Sequence, residues 1–287
     1  MQAHYTRIIF GMNIGLTPRQ INGGRVTPTA SGWRLEMSAG AARTYRLAQL
    51  DDYIDRPAIS SPHFDDSREV LPRGRFWHAP PWTLTLRVHL SAANLPGTWG
   101  FGLWNDPFGL SLGFGGKVMR LPALPQTAWF FHASLPNWLC LHDDPLPGSG
   151  RTIPASGFFA GTFRSLPIPS FLLAPGLLAL PFFRIRPISR LFRRLAGRII
   201  CQDGLGVDVD VTQWHDYSIR WLNESCTFSV DGNEILSTQI LPHPPLGLII
   251  WMDNQFAAWA PDGRLGYGTL ENPDAWMEIE NLTIQRE

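Results

Sequence analysis

The sequence predicts an all-β protein, a jelly-roll β-sandwich of two antiparallel sheets, and three observations carry that reading. Trp214-His215-Asp216-Tyr217-Ser218-Ile219-Arg220-Trp221 alternates apolar and polar residues, and Thr227-Phe228-Ser229-Val230 does so again before an Asp231-Gly232 turn. That is the pattern of a hairpin in a half-buried sheet. Trp82-Thr-Leu-Thr-Leu-Arg-Val-His-Leu90 alternates in the same way and reads as a strand with one face in the core. The chain also carries 27 glycines and 25 prolines in 287 residues, which means frequent turns and few long helices.

The elements follow in order. Residues 1–30 read as a polar, turn-rich lead-in. Gly32 to Leu50 reads as a strand pair, with Trp33, Leu35 and Met37 alternating, then Tyr45 and Leu47. Residues 51–75 hold six of the 24 acids and several prolines and read as an exposed loop. After the strand at 82–90 come strands at Thr98–Trp104 and Leu110–Phe114 around an Asn105-Asp106-Pro107 turn, then Thr127–Ser134 and Gly157–Phe163. Strands resume at 205–211, 214–222, 225–230 and 234–240. Leu246–Trp251 is a continuous apolar run, as expected of a buried central strand. Met277–Ile284 closes the chain. No internal repeat and no composition break marks a second domain, so residues 1–287 read as a single jelly-roll domain.

Bulk properties exclude several function classes. Net charge is zero at neutral pH and charged residues make up 17%, so overall electrostatics favour neither nucleic acid nor acidic polymers as partners. Cys140, Cys201 and Cys226 stand far apart with no CxxC spacing, which argues against a zinc ribbon or a thioredoxin-type site. An odd, unpatterned cysteine count suits a reducing compartment. Met1–Gly15 lacks the basic start and apolar run of a secretory leader. These features place the chain in the cytoplasm, with membrane-peripheral attachment open through the insert described below. There is no Gly-x-Ser-x-Gly elbow and no His-x-His or His-x-x-x-His metal pairing, and Gly113-Phe-Gly115-Gly116-Lys117 lacks the strand–loop–helix context of a phosphate loop.

The segment Trp214-His215-x-Tyr217-x-Ile219-x-Trp221…Phe228-x-Val230-Asp231-Gly232 resembles the C-terminal half of concanavalin A-like sandwiches. Within them it is most similar to glycoside hydrolase family 16, the laminarinase-type group. Gly97-Thr98-Trp99-Gly-Phe-Gly-Leu-Trp104 and Met277-x-Ile279-Glu280-x-Leu282-x-Ile284 resemble further segments of that family. The resemblance covers roughly residues 80–287. It implies chemistry on a Glu-x-Asp-x-x-Glu strand, whose alternate carboxylates face one cleft and act as nucleophile and acid/base. This sequence has no such motif. Where chain order would put it stands Ala128-Trp129-Phe130-Phe131-His132-Ala133-Ser134, and no acid lies between Asp106 and Asp143. The family's catalytic residues therefore have no counterparts here, and family 16-type hydrolysis is not expected. The resemblance also implies a structural calcium ion held by an acid on the closing strand, with Glu280 as its counterpart. No calcium-loop spacing accompanies it, and the sequence carries no motif for any other cofactor.

Candidate site residues cluster at strand ends. Trp251-Met252-Asp253-Asn254-Gln255-Phe256 leaves an apolar strand and turns abruptly polar, with Trp259 following. Amides, a carboxylate and flanking rings suit a ligand that combines polar groups with apolar faces, though an ordinary strand end explains them too. Trp104 and Asn105 beside Asp106, and Trp129 on the aromatic strand, complete the candidate ligand set. Asp106, His132 and Asp253 are the candidate acid/base groups. Against them stand a turn residue before proline for Asp106 and a hydrogen-bonded core histidine for His132.

The insert from about 164 to 201 is the second distinctive region. Leu166–Phe183 is almost wholly apolar but broken by Pro167, Pro169, Pro175 and Pro181, which argues against a membrane-spanning helix. Seven arginines fall within 164–198, and no acid occurs between Asp144 and Asp203. Ile188, Leu191, Leu195 and Ile199 recur at helical spacing over about 187–200, an amphipathic basic helix. It reads as a helix packed on the sandwich, a membrane-surface element or a lid over the cleft.

Two functions from different classes follow. One is a carbohydrate-associated binding protein, holding a carbohydrate or another small ligand with apolar faces in an aromatic concave cleft. The other is an enzyme with relocated acid/base groups, either a glycosidase or lyase, or an isomerase or cyclase whose rings stabilise cationic character on an apolar substrate.

Overall fold

The computed structural model describes residues 15–53, 76–107, 123–143, 145, 150–173 and 182–286. It is a β-sandwich of two seven-stranded antiparallel sheets with a two-stranded ribbon beside them. The strands in chain order are β1 (Thr17–Ile21), β2 (Gly24–Pro28), β3 (Gly32–Met37), β4 (Leu47–Asp51), β5 (Trp82–Leu90), β6 (Thr98–Trp104), β7 (Thr127–Ala133) and β8 (Gly157–Ser165). After helices α1 (Ser170–Leu173) and α2 (Arg186–Ile199) come β9 (Ile200–Gly206), β10 (His215–Trp221), β11 (Cys226–Val230), β12 (Asn233–Thr238), β13 (Gly247–Asp253), β14 (Gln255–Trp259), β15 (Leu265–Thr269) and β16 (Ala275–Gln285).

One sheet runs β12-β11-β10-β5-β16-β3-β2, and the other β1-β4-β13-β6-β7-β8-β9. In the first, alternation is clean because only one side is covered. Leu84, Leu86 and Val88 of β5 are buried, while Thr85 is exposed and Thr83 and Arg87 are half-buried. The hairpin at 215–230 pairs Tyr217 with Val230, Ile219 with Phe228 and Trp221 with Cys226, putting the apolar set on the inner side. The inner faces of the two sheets meet in one core. Trp82, Trp99 and Trp221 are at most 1% exposed there, and burial of each large ring contributes about 1.5–3 kcal/mol.

Several sequence expectations need correction. Residues 17–28 are not an irregular lead-in: they form β1 and β2, joined by Asn22-Gly23 with φ of 45° and 90°. That turn carries the chain from one sheet to the other, since β1 pairs with β4 and β2 with β3. For the same reason β3 and β4 are not a pair. Strand β9 begins at Ile200 rather than 205. The ribbon β14–β15 went unread because its residues are all half-buried or exposed and show no period. The expected strand at Leu110–Phe114 and most of the loop at 51–75 lie outside the described residues. The three cysteines are unbridged.

Candidate ligand-binding cleft

The second sheet is apolar on both faces. On β13, Leu248, Ile250 and Met252 enter the inter-sheet core, while Ile249, Trp251 and Asp253 point outward into a cleft of about 430 Å³. The same alternation holds across the sheet. Trp129 and Phe131 of β7 line the cleft, as do Leu47 and Gln49 of β4, Arg19 and Ile21 of β1, Phe163 of β8 and Ile200 of β9. The ribbon β14–β15 (Phe256–Trp259, Leu265–Tyr267) and the loop residues Asn137, Trp138, Leu139 and Leu141 complete the wall. Ribbon and loop are tied by Trp138 N–H donating to the Ala257 carbonyl at 3.0 Å, Trp259 N–H to the Trp138 carbonyl at 3.1 Å and Ala257 N–H to Asn137 Oδ1 at 2.8 Å.

Glycines on β6 make room for the rings. Gly100 is registered opposite Trp251 and Gly102 opposite Trp129. A Cβ at Gly100 would stand 2.8 Å from Trp251 Cη2, and one at Gly102 would stand 2.6 Å from Trp129 Cα, with φ there at 148°. Trp104 and Trp251 lie nearly parallel, 7° apart with centroids at 6.1 Å. Trp129 and Phe131 sit 5.6 and 5.4 Å from Trp251 at tilts of 43° and 45°. Three of the cleft's indole N–H groups are tied down: Trp104 donates to Tyr53 Oη at 2.8 Å, Trp251 to Thr98 Oγ1 at 3.0 Å and Trp259 to Ser189 Oγ at 3.0 Å. Five of the twelve tryptophans line this one cleft.

Polar groups gather around Asp253. Its Oδ1 accepts from Thr98 Oγ1 at 2.8 Å and from Gln255 N–H at 3.1 Å, and its Oδ2 faces Tyr45 Oη at 3.4 Å. Burial pushes this carboxyl up to about 7, against the pull of the hydrogen bonds from Thr98, Gln255 and Tyr45. It therefore exchanges a proton near neutral pH, as a general acid or base must. The Tyr45 phenol is raised well above its ordinary range, by burial first and then by the Asp253 charge, with Arg19 opposing and Asp106 adding a smaller push. Asp106 lines the same cleft and holds a left-handed backbone, φ 47°, which an aspartate tolerates better than most residues.

Of the residues expected in the site, Trp104, Asp106, Trp129, Trp251, Asp253, Gln255 and Trp259 all line the cleft. Four others do not. His132 is on the opposite face of β7 from Phe131. There it stacks on Trp99 at 5.1 Å and 10°, and burial lowers its pKa to about 4. It is a neutral core residue, not a cleft base. Asn254 is fully buried and occupied by the backbone of Arg46, Thr44 and Leu270. Asn105 braces its own turn through the Leu124 carbonyl and Gln126 N–H. Glu280 sits in the other sheet, accepting from Ser31 Oγ at 2.6 Å. Among the described residues no group of three or more His, Cys, Asp or Glu side chains is placed to hold a metal ion. Arg19, Tyr45, Thr98, Trp138 and Tyr267 were missed. Thr98 and Tyr45 had a signal, since each precedes or shares the cleft face of a strand that was read. Arg19 and Tyr267 had none.

No family model matches the chain, and no curated protein matches its sequence. Among solved structures it is similar to a legume lectin-like domain from Entamoeba histolytica, at 9% identity and a TM-score of 0.42 over 94% of this chain and 90% of that one. It is also similar to a glycoside hydrolase family 16 endo-glucanase from Bacteroides ovatus, at 8% identity and 0.42 over 93% and 94%. An alginate lyase matches at 10% identity and 0.37 over 88% and 73%.

Proposed function

We propose that the chain is a ligand-binding sandwich, carbohydrate-associated in the broad sense, whose concave cleft takes a small molecule with an extended apolar face and one polar end. The composition of the lining carries this reading. A cavity of about 430 Å³ is the size of a small-molecule site, and its walls are mostly rings and aliphatic chains, with polar groups at Arg19, Tyr45, Gln49, Thr98, Asp106, Asn137, Asp253 and Gln255. A pyranose would stack its C–H face on the parallel Trp104 and Trp251 rings. A long oligosaccharide would leave most of its hydroxyls facing hydrocarbon, at a cost for each unpaired group. An isoprenoid-like alcohol or an alkyl glycoside fits such walls better.

Titration of intrinsic tryptophan fluorescence tests the reading with farnesol, octyl glucoside and a cello-oligosaccharide as probes. Saturable binding of farnesol or octyl glucoside, weakened at least roughly tenfold by Trp251→Ala, is the expected result, because that ring touches three of its neighbours in the wall. Absence of binding by all three, or equal binding by the variant, would overturn it.

A second reading is an enzyme on the same cleft, favoured by the Asp253 carboxyl at about 7. Asp253 would protonate or deprotonate an apolar substrate while the rings shield cationic character. Family 16-type hydrolysis is not part of either reading, because the outward-facing positions of β7 are Trp129 and Phe131 and no retaining carboxylate pair occurs there. Release of reducing sugar from a β-glucan, abolished by Asp253→Asn or Asp106→Asn, would contradict this.

A further inference from the structure

Helix α2 docks on the body by its polar side. Ser189 and Arg193 are the buried residues of the helix. The Trp259 indole donates to Ser189 Oγ at 3.0 Å. The Arg193 guanidinium donates to the Trp259 carbonyl, the Cys140 carbonyl and both Asp143 carboxylate oxygens at 2.5–2.8 Å. Those partners consume the seam that an amphipathic helix would ordinarily fill with leucines. Consequently Leu191, Phe192 and Leu195 are turned outward, at 56%, 37% and 43% exposure.

The surroundings repeat the pattern. Leu166, Phe171, Leu172, Phe182 and Ile185 are also exposed, so eight of the eleven exposed large apolar side chains of the described residues fall between 166 and 195. At about 100° per residue, Ile188, Leu191, Phe192 and Leu195 share one flank of α2, and Arg186, Arg190, Arg194 and Arg198 share the other. Those four arginines and Arg184 are exposed. The chain as a whole is neutral, yet no acid occurs between Asp144 and Asp203. Among the described residues, no helix is long and apolar enough to cross a membrane.

We propose that this face lies on an anionic lipid surface, with Leu191, Leu195 and the flanking Phe182 and Ile185 entering the headgroup–acyl boundary and the exposed arginines meeting the phosphates. Charge complementarity selects the occupant. Arg186 and Arg190 lie beside Asp262, but a neutral apolar partner would leave Arg184, Arg194 and Arg198 without counter-ions, whereas an interfacial helix has leucine and phenylalanine on one side and arginine on the other. Arginine stems cover hydrocarbon while their heads reach the phosphates. The anchor also reaches the cleft. Trp259, which holds Ser189 and the Phe183 ring at 5.7 Å, is part of the cleft wall, so the roof of the cleft stands next to the lipid.

Co-sedimentation of the full chain with vesicles tests this, using phosphatidylcholine alone and phosphatidylcholine mixed with phosphatidylglycerol. The protein is expected on the anionic vesicles at low ionic strength, released by salt, and largely absent from the neutral ones. The double variant Leu191→Ser/Leu195→Ser should lose at least roughly tenfold in partition while the fold is retained by circular dichroism, since both side chains are exposed. Arg194→Gln and Arg198→Gln should each cost roughly fivefold. No partition at low salt, or equal partition of wild type and both sets of variants, would overturn the proposal. So would a dimer in sedimentation velocity that Leu191→Ser/Leu195→Ser converts to monomer without any vesicle binding, because a second copy would then cover the face.

Discussion

Trp129 and Phe130 are neighbours on β7, yet they belong to different surroundings. Phe130 points between the sheets, where Phe101, Tyr217 and Phe228 surround it at 5.1–5.5 Å. Trp129 points the other way, with Phe131 and Trp251, into a cleft that, among the described residues, is walled by a two-stranded ribbon and a loop. Both faces of the sheet are apolar and both are nearly dry. The difference is the partner. A second sheet closes one face to crystal-like density, while the ribbon leaves room on the other for about 430 Å³. Apolar composition is therefore not by itself a sign of core. In this sandwich it also builds a receptacle.

The largest expected effect separates the faces directly. Phe130→Ala should cost about 3–5 kcal/mol in chemical denaturation, the range for emptying a closed core. Phe131 lies on the wall of the cleft, and Phe131→Ala should cost about 1–3 kcal/mol, because part of the ring faces the cleft rather than closely packed side chains. Equal costs would mean that the cleft face is packed like the core.

Titration sharpens the same contrast. The Asp253 carboxyl, at about 7 in the fold and about 3.9 in the unfolded chain, binds its proton more tightly when folded. Its contribution to stability is fully present below about pH 4 and is lost as pH rises through 7, an upper bound of about 4 kcal/mol. His132 has the opposite sign. Its folded pKa of about 4 lies below the unfolded value of about 6.5, so its contribution is present above pH 6.5 and fades as pH falls toward 4. Denaturant melts at a series of pH values should therefore show a fall in stability from pH 6.5 to 8 that Asp253→Asn removes. A fall unchanged by Asp253→Asn would place the proton elsewhere.

The smallest effect probes the roof. Ser189→Ala removes the acceptor of the Trp259 indole and should cost about 1 kcal/mol, with a change in fluorescence from Trp259. An unchanged stability and spectrum would show that ribbon and helix are not coupled through this bond.

The strands legible in the sequence were those with one wet face. On β5, β10 and β11 the residues between the buried positions are Thr, Arg, His and Ser, so period two stands out. The sheet with two apolar faces yielded strands but not sides, and its alternation could be assigned only once the second sheet and the ribbon were located. Edge strand β1 and the ribbon had no period to read, and with them went Arg19 and Tyr267. The helix at 186–199 was legible from its spacing, but its orientation was not. Which side docks depends on the Trp259 and Cys140 carbonyls and the Asp143 carboxylate, all distant in sequence from Arg193. Within the site, Trp104, Trp129, Trp251 and Asp253 were readable as a polar end to aromatic strands. His132 and Asn254 were misplaced by a single step of the pleat, which sends a side chain to the other face.

The central claim is that the outer face of this sheet, and not its inner face, receives a ligand. Fluorine NMR of protein carrying fluorotryptophan at all its tryptophans measures that most directly, with farnesol and octyl glucoside as probes. Saturating ligand should shift the resonances of Trp104, Trp129 and Trp251, which line the cleft, and leave those of Trp82, Trp99 and Trp221, which fill the core, in place. Shifts spread equally over both sets, or confined to the core set, would contradict the account.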